Sequence, residues 1–513
     1  MILVIFNKPD FEYDVHSLLK AFFPKEEIQM YYSCPPEEVE GQNLACTHHE
    51  LGSDPDLLQG ADHIFYIDFW TDAISIRWKE AKEENSRRRL AVLGTSERIE
   101  AKNTLKQHLY ELLQEGTGQQ LPWGTLTGIR PTKIPMKLME EGMPEDEIFR
   151  HMKEDYLASD EKIRLAIDIA KRERALLSRI DYERGYSLYI GIPFCPTTCA
   201  YCSFTSFPLR VWKNRVDEYL DALEKEIDFT AERFGDKVLN SVYIGGGTPS
   251  TLEPYQMDRL IKKIKASFDL SHCLEFTVEA GRPDSTTREL LQTLKDNGIT
   301  RISINPQTMK QKTLDIIGRH HTVEQTLECY RTAREVGMDN INMDLIIGLP
   351  EEDLEDVRHT MEILQKLEPE NITIHSLAIK RAARMTIYKD RFEDMKMVNT
   401  QAHMDLCADY CRQIGLEPYY MYRQKGMAGN MENVGYAKPG KAGVYNILIM
   451  EEKQTIMALG AGATTKFVLP DTLNENGTPH IERVENVKSV EHYMARIDEM
   501  IERKAKKMEE LGI

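Results

Sequence analysis

Two periodicities alternate along the second half of the chain. From residue 185 onward, short apolar runs at 187–194, 241–245, 275–279, 301–306, 340–347 and 371–378 have strand length. Between them, segments at 212–233, 254–267, 284–297, 310–336 and 353–367 space their apolar residues three and four apart, as an amphipathic helix does. Repeated strand–helix units predict an α/β fold with a parallel sheet and right-handed crossovers. In such folds, chemistry gathers at the carboxyl ends of the strands. Residues 1–115 predict a smaller α/β unit, with strands at 1–6, 61–68 and 90–94 and a helix at 102–115 carrying Leu105, Leu109, Leu112 and Leu113. Residues 116–184 predict a helical linker, its first part rich in turn formers, with a helix starting at Pro131. The repeats define a domain at 185–397. Residues 398–513 predict an accessory domain: a helix at 399–415, an aromatic strand at 419–422, a Gly-rich loop at 426–443 and a closing amphipathic helix at 489–511.

Composition narrows the partners. With 41% hydrophobic and 29% charged residues, the 513-residue chain is ordinary for a globular protein. Its formal charge of −18 leaves no basic excess for phosphates, which argues against a nucleic-acid partner. No apolar run approaches the roughly 20 residues that span a bilayer. The apolar opening, Met1-Ile-Leu-Val-Ile-Phe6, lacks a basic leader and a small-residue cleavage site, and predicts a strand rather than a signal peptide. Of nine cysteines, six are scattered: Cys34, Cys46, Cys273, Cys329, Cys407 and Cys411. That pattern fits a reducing, cytoplasmic compartment rather than a disulfide scaffold. Cys407 and Cys411, one helical turn apart, predict small buried thiols on one helix face.

The other three cysteines lie within eight residues, in Cys195-Pro-Thr-Thr-Cys199-Ala-Tyr-Cys202, on the loop that follows the first strand of the repeat. Three thiols with no fourth Cys or His beside them point to an iron–sulfur cubane in which one iron has no protein ligand. An open metal position is where a substrate or cofactor binds. Other unusual residues fall at the ends of the following strands. Gly245-Gly246-Gly247-Thr248-Pro249 clears side chains from one point, where backbone groups can meet a ligand. Glu279 closes the third strand, Gln307 follows the fourth with Arg319 beyond it, and Asp344 interrupts the apolar fifth. A buried acid needs a partner or a ligand.

The Cys-x3-Cys-x-Tyr-Cys pattern after a strand resembles the radical S-adenosylmethionine (SAM) enzymes. The flanking Tyr-Ile-Gly-Ile-Pro-Phe-Cys and Tyr-Cys-Ser-Phe are similar to the oxygen-independent coproporphyrinogen III oxidase group, most closely its HemZ branch. The resemblance covers residues 185–470, including Ile456–Gly462 with Ala463-Thr464, which is similar to the family's closing Gly-Ala-Gly-Ala stretch. It implies an open partial barrel of six strand–helix units. It also implies a [4Fe–4S] cluster on Cys195, Cys199 and Cys202, and SAM as cofactor. In the family pattern, Tyr189, Gly246 and Glu279 match contacts to the cluster-bound SAM. Tyr201, Gly247, Thr248, Gln307, Arg319, Asp344 and Ala378 match contacts to a second SAM position. The pattern names no catalytic side chain.

The activity implied is oxidative decarboxylation of two propionates of coproporphyrinogen III to vinyls, giving protoporphyrinogen IX, in haem biosynthesis. A tetrapyrrole substrate and an electron donor such as flavodoxin or ferredoxin follow from it. Lys380-Arg381-Ala-Ala-Arg384 and the group Arg210, Lys213 and Arg215 are candidate propionate partners, although helix starts and solvated faces account for them as well. Two alternatives stay open: a haem chaperone that keeps the fold, and another radical SAM enzyme acting on a tetrapyrrole. Three positions depart from the relatives. Gly191 stands where the oxidases have His, and Phe204 where they have a further Cys. The 430–436 stretch has no His where the chaperones carry a His-Asn motif.

Overall fold

The computed structural model describes residues 1–32, 49–50, 60–80, 86–94, 97–182, 184–380, 382–424, 427–474 and 479–513. Cys34, Cys46 and Arg381 lie outside them. The chain forms two compact units, Met1–Ile167 and Asp168–Ile513. Residues 116–184 divide between the units, and residues 398–513 belong to the second.

The first unit is built on a six-stranded sheet in the order β3-β2-β1-β4-β5-β6. Its strands are β1 Ile2–Phe6, β2 Ile28–Tyr32, β3 His49–Glu50, β4 His63–Phe69, β5 Ala73–Glu80 and β6 Ser86–Val92. β1 pairs in parallel with β2 and β4, and β4, β5 and β6 form an antiparallel meander. The helices Glu12–Phe22 and Arg98–Thr117 cover one face through Leu18, Leu19, Leu105, Leu109 and Leu113. β2 and β5 were not predicted. β5 has the alternation of a half-buried strand, with Ile74, Ile76 and Trp78 all buried.

The second unit holds the predicted repeat: β7 Gly185–Ile192, then, after the short pair β8 Phe194–Cys195 and β9 Phe207–Pro208, β10 Val238–Gly246, β11 Glu275–Glu279, β12 Arg301–Ser303, β13 Ile341–Ile347 and β14 Asn371–Ser376. Apart from the short pair, each of these strands adds in parallel beside the one before it. That continuous progression, with helices between strands, is the expected partial barrel. The C-terminal residues extend both edges of this sheet. β15 Glu417–Tyr422 and β16 Asn433–Ala437 join antiparallel beyond β14; β17 Thr455–Leu459 joins parallel beside β7, followed by β18 Thr464–Leu473 and β19 Pro479–Glu485.

Two predicted elements are corrected. The stretch 426–443 contains β16 rather than only loop. Its Gly435 lies under the Tyr420 ring, where a Cβ would come within 1.9 Å of a ring carbon, so this glycine makes room for an aromatic ring. The helix expected at 310–336 is two helices, Gln311–Ile316 and Val323–Glu335. The break follows Gly318, whose φ of +75° is left-handed, and it frees Arg319 to turn into the barrel. Among the described residues no helix is long and apolar enough to cross a membrane.

Glu352, just beyond β13, is buried and accepts a hydrogen bond from the Thr308 hydroxyl at 2.5 Å. Burial pushes its carboxyl up to about 7. A raised acid favours folding while neutral and opposes it once the folded protein must hold the charge. That contribution is therefore present below the unfolded carboxyl pKa and is lost as pH rises through about 7. Glu352→Gln should remove this dependence. Between about pH 5 and pH 8 the wild type should lose on the order of 3 kcal/mol more than the variant. Parallel unfolding-midpoint curves for the two proteins across that range would count against it.

Candidate functional site

The cysteine loop is tied down at several points. Phe207 N donates to Pro193 O, Ala200 N to Ile317 O, Met385 N to Ala200 O and Cys202 N to Cys199 O. Gly247 N and Thr248 N donate to Ile192 O and Phe194 O. These two N–H groups, expected to face a ligand, are therefore spent on holding the loop; what the glycines contribute at this point is clearance. A Cβ on Gly247 would lie 3.0 Å from Cys195 Sγ and 2.7 Å from Phe194 O. The Thr248 hydroxyl donates to Cys195 Sγ at 3.3 Å.

Cys195, Cys199 and Cys202 are free thiols that line one cavity of about 270 Å³. Burial raises the Cys195 thiol, and takes Cys202 up to about 11, so loading a metal here must displace protons. Beside Cys199 stands a cation that the sequence reading missed. Arg282 is buried, points Nη1 at Cys199 Sγ (3.7 Å), donates Nη2 to Thr197 Oγ1 (3.2 Å), and makes a bidentate pair with Asp284 at 2.8 and 2.7 Å. Its signal was an Arg three residues past Glu279, in Arg282-Pro-Asp284.

The same cavity takes in Tyr201, Gly246, Gly247, Thr248, Glu279, Gln307, Arg319, Asp344 and Ala378. Tyr201 comes from the cysteine loop, Asp344 from the middle of β13, and the others from the carboxyl ends of β10 and β11 and the segments that follow β10 to β14. Arg319 donates to Tyr201 OH (3.1 Å) and to the carbonyls of Gly281 and Asn305 (both 2.8 Å). Its Nε has no partner. Gln307 is a non-glycine residue at φ +68°, held there by Asp344 O on its N–H and Ile346 N on its carbonyl. Its buried Oε1 is also unpaired. Strained backbone is sustained where surrounding structure over-determines it, and unpaired buried polar atoms are few in a folded protein.

A second cavity of about 520 Å³ adjoins the first, and Ser203, Phe204, Gly246, Glu279, Asp344 and His375 are among the residues lining both. Tyr189 lines only this larger one. Its ring stacks with Tyr243 and Tyr445, at centroid distances of 6.3 Å to each, and those two lie 4.5 Å apart. The departures Gly191 and Phe204 both face this cavity, and Phe204 is 74% exposed. Glu279 accepts from Tyr243 OH at 2.5 Å, and burial pushes its carboxyl up to about 7. Asp344 goes the other way. Burial alone would raise it, but His375 at 3.8 Å, Asn342 Nδ2 at 2.7 Å and Thr373 together hold it below the usual range. His375 has no place in the sequence reading, since a single His in an apolar strand gives no periodic signal.

The other candidates fall outside the cavities or at their rim. Lys380 lines the smaller cavity. Arg384 begins the short helix Arg384–Ile387 and donates to Thr198 O. Arg215 pairs with Glu218 at 2.9 Å, and Lys213 lies 3.9 Å from Glu253, as a solvated face would have them. Cys407 and Cys411 are fully buried on the helix Gln401–Gln413.

Residues 189–364 match the Radical SAM superfamily. The oxygen-independent coproporphyrinogen-III oxidase-like protein HemZ of Bacillus subtilis (strain 168) is 42% identical over 418 residues, 80% of this chain and 82% of that protein. Heme chaperone HemW of the same organism is 38% identical over 198 residues, 38% of this chain and 51% of HemW. Oxygen-independent coproporphyrinogen III oxidase of Escherichia coli (strain K12) is 31% identical over 196 residues, 38% of this chain and 42% of that enzyme. The match thus spans about half of the chaperone and less than half of the oxidase. Among solved structures, the E. coli coproporphyrinogen III oxidase HemN aligns with a TM-score of 0.49 and 22% identity, over 64% of this chain and 73% of that one. The cofactors of the superfamily are a [4Fe–4S] cluster and SAM. Three thiols on one cavity, a glycine whose Cβ would crowd a sulfur, and unpaired atoms on Gln307 and Arg319 fit such a pair. The chain is a member of the radical SAM superfamily, in the HemZ branch of the oxygen-independent coproporphyrinogen-III oxidase-like proteins of the haem pathway.

Proposed function

We propose that this protein is a radical SAM oxidoreductase of the coproporphyrinogen dehydrogenase type, converting two propionates of a tetrapyrrole to vinyl groups, each with loss of a hydrogen atom to the SAM-derived adenosyl group, of CO2, and of one electron to an external one-electron acceptor. The observation that carries the reading is the pair of adjoining cavities, which share Glu279, Asp344 and His375. A substrate in the larger faces whatever the thiols hold in the smaller. Cys195, Cys199 and Cys202 hold the cluster in this reading. Tyr189, Gly246 and Glu279 bind one SAM, and Tyr201, Gly247, Thr248, Gln307, Arg319, Asp344 and Ala378 bind the second. Bound together and reduced by a flavodoxin- or ferredoxin-like donor, these cofactors supply a 5′-deoxyadenosyl radical. The protein's share is to orient the propionate and exclude water. The stacked Tyr189, Tyr243 and Tyr445 form an apolar wall, and Glu279 and Asp344 offer acceptors to ribose hydroxyls or to the SAM ammonium.

The similarity to HemW favours one second reading, a protein that keeps haem rather than changing it. An anaerobic assay separates the two. Reconstituted, reduced protein is incubated with SAM and either coproporphyrinogen III or haem; with coproporphyrinogen III and an electron acceptor it should yield a divinyl product and 5′-deoxyadenosine. Stoichiometric retention of haem with no vinyl product would replace the oxidase reading by the chaperone.

A further inference from the structure

The larger cavity has one arginine or lysine among its lining residues, and part of its guanidinium is without a hydrogen-bond partner. Arg301 is 2% exposed, yet its Nε and Nη2 have no hydrogen-bond partner. The nearby carboxylate of Glu275 attracts the guanidinium but takes its hydrogen bonds elsewhere, from Val444 N at 2.5 Å and Thr277 Oγ1 at 2.7 Å. Two residues along β12, on the same face of the sheet, Ser303 is 3% exposed and its Oγ is also unpaired. Both residues line the cavity. Leaving a buried donor unpaired is costly, and more so when it is charged. Two residues in a row that carry unpaired donors and line the cavity are a candidate binding surface for an anionic acceptor.

Register fixes where that surface lies. Ser303 is level with Glu279 on β11, and Arg301 with Thr277, two residues deeper and further from the carboxyl end where the thiols sit. We propose that Arg301, with Ser303, is the carboxylate anchor of the substrate. It binds a carboxylate arm at the floor of the cavity, so that the arm's carbons lie against the tyrosine wall toward the shared carboxylates. A planar guanidinium suits a bidentate carboxylate. The inference deepens the tetrapyrrole reading and rests on it.

Coproporphyrin III, the stable oxidised counterpart of the substrate, and its tetramethyl ester serve as probes, titrated by fluorescence into anaerobically reconstituted full-length protein. Arg301→Gln should weaken coproporphyrin III binding on the order of 10- to 100-fold and leave the ester, which has no carboxylate, unaffected. Equal affinity of wild type and variant for coproporphyrin III overturns the anchor and leaves the tetrapyrrole reading standing. A wild type that binds no coproporphyrin III overturns both. Iron content reports whether the variant has folded. Should Arg301→Gln lose its iron, Ser303→Ala decides: a loss of roughly three- to tenfold supports the anchor, and no change overturns it.

Discussion

Cys199→Ala is expected to emerge from anaerobic reconstitution without its iron–sulfur chromophore and to form no 5′-deoxyadenosine from SAM. Cys195→Ala and Cys202→Ala should behave alike. With only three thiols on the loop, removing one leaves two, and no other described cysteine lines this cavity to replace it. The effect is specific to this cavity. Cys273, whose thiol donates to the Glu275 carbonyl, and Cys407, fully buried on its helix, should tolerate alanine with iron content unchanged. A gentler variant probes the environment of the sulfurs. Thr248→Val removes the hydroxyl that donates to Cys195 Sγ. Hydrogen bonds to cluster sulfurs raise the reduction potential, so this protein should keep its iron and shift to a more negative potential. Iron-to-protein ratio and 5′-deoxyadenosine formation are the measurements. A Cys199→Ala protein that still cleaves SAM would refute the ligand assignment.

The sequence carried the part of the site that follows from spacing. The cysteine triplet, the Gly245–Thr248 run and the acids at strand ends all break the local apolar pattern, and the strand–helix period says where each should lie. What it could not carry is anything set by a change of direction. Arg319 works because Gly318 breaks a helix whose apolar period continues across it. Arg282 reaches Cys199 because Arg282-Pro-Asp284 turns back after β11, and the turn is invisible in a pattern of apolar residues. Arg301 looked like the first residue of a strand, where a charge is commonly solvated; in the structure it is buried, with Tyr419 and Tyr420 of the added strand β15 and Gly443, just before the helix Val444–Glu451, beside it. The glycines around 426–443 misled for a related reason: Gly435 serves a ring from the neighbouring strand, and composition alone cannot separate that from a loop.

The largest expected effect on stability lies away from the thiols, at Lys504. Lys504 and Glu226 are both fully buried and form an ion pair. Lys504 sits on the last helix, Ile497–Leu511, and Glu226 on the first crossover helix, Val216–Arg233. Lys504 also donates to Ala458 O on β17 at 2.6 Å. Glu226 collects Gly460 N (2.9 Å), Asn486 Nδ2 (2.8 Å) and Tyr493 OH (2.6 Å). One carboxylate thus ties the C-terminal strands and helices to the barrel. Lys504→Ala leaves that charge buried without its counter-ion, and should cost roughly 3 to 5 kcal/mol. Adding Glu226→Gln to Lys504→Met removes both charges and should recover part of the loss, since an apolar replacement of the whole pair is tolerated better than half of one. The damage should reach the active site. Gly460 packs against Gly191, Tyr219 OH bridges Gly191 O (2.6 Å) and Ala461 N (3.1 Å), and Gly191 and Ala461 line the larger cavity. Loosening this clamp should therefore weaken substrate binding while iron content is preserved at temperatures below unfolding. Urea unfolding of the three proteins gives the stability order. A Lys504→Ala midpoint equal to wild type would mean that the buried pair contributes nothing to holding the C-terminal segment against β7.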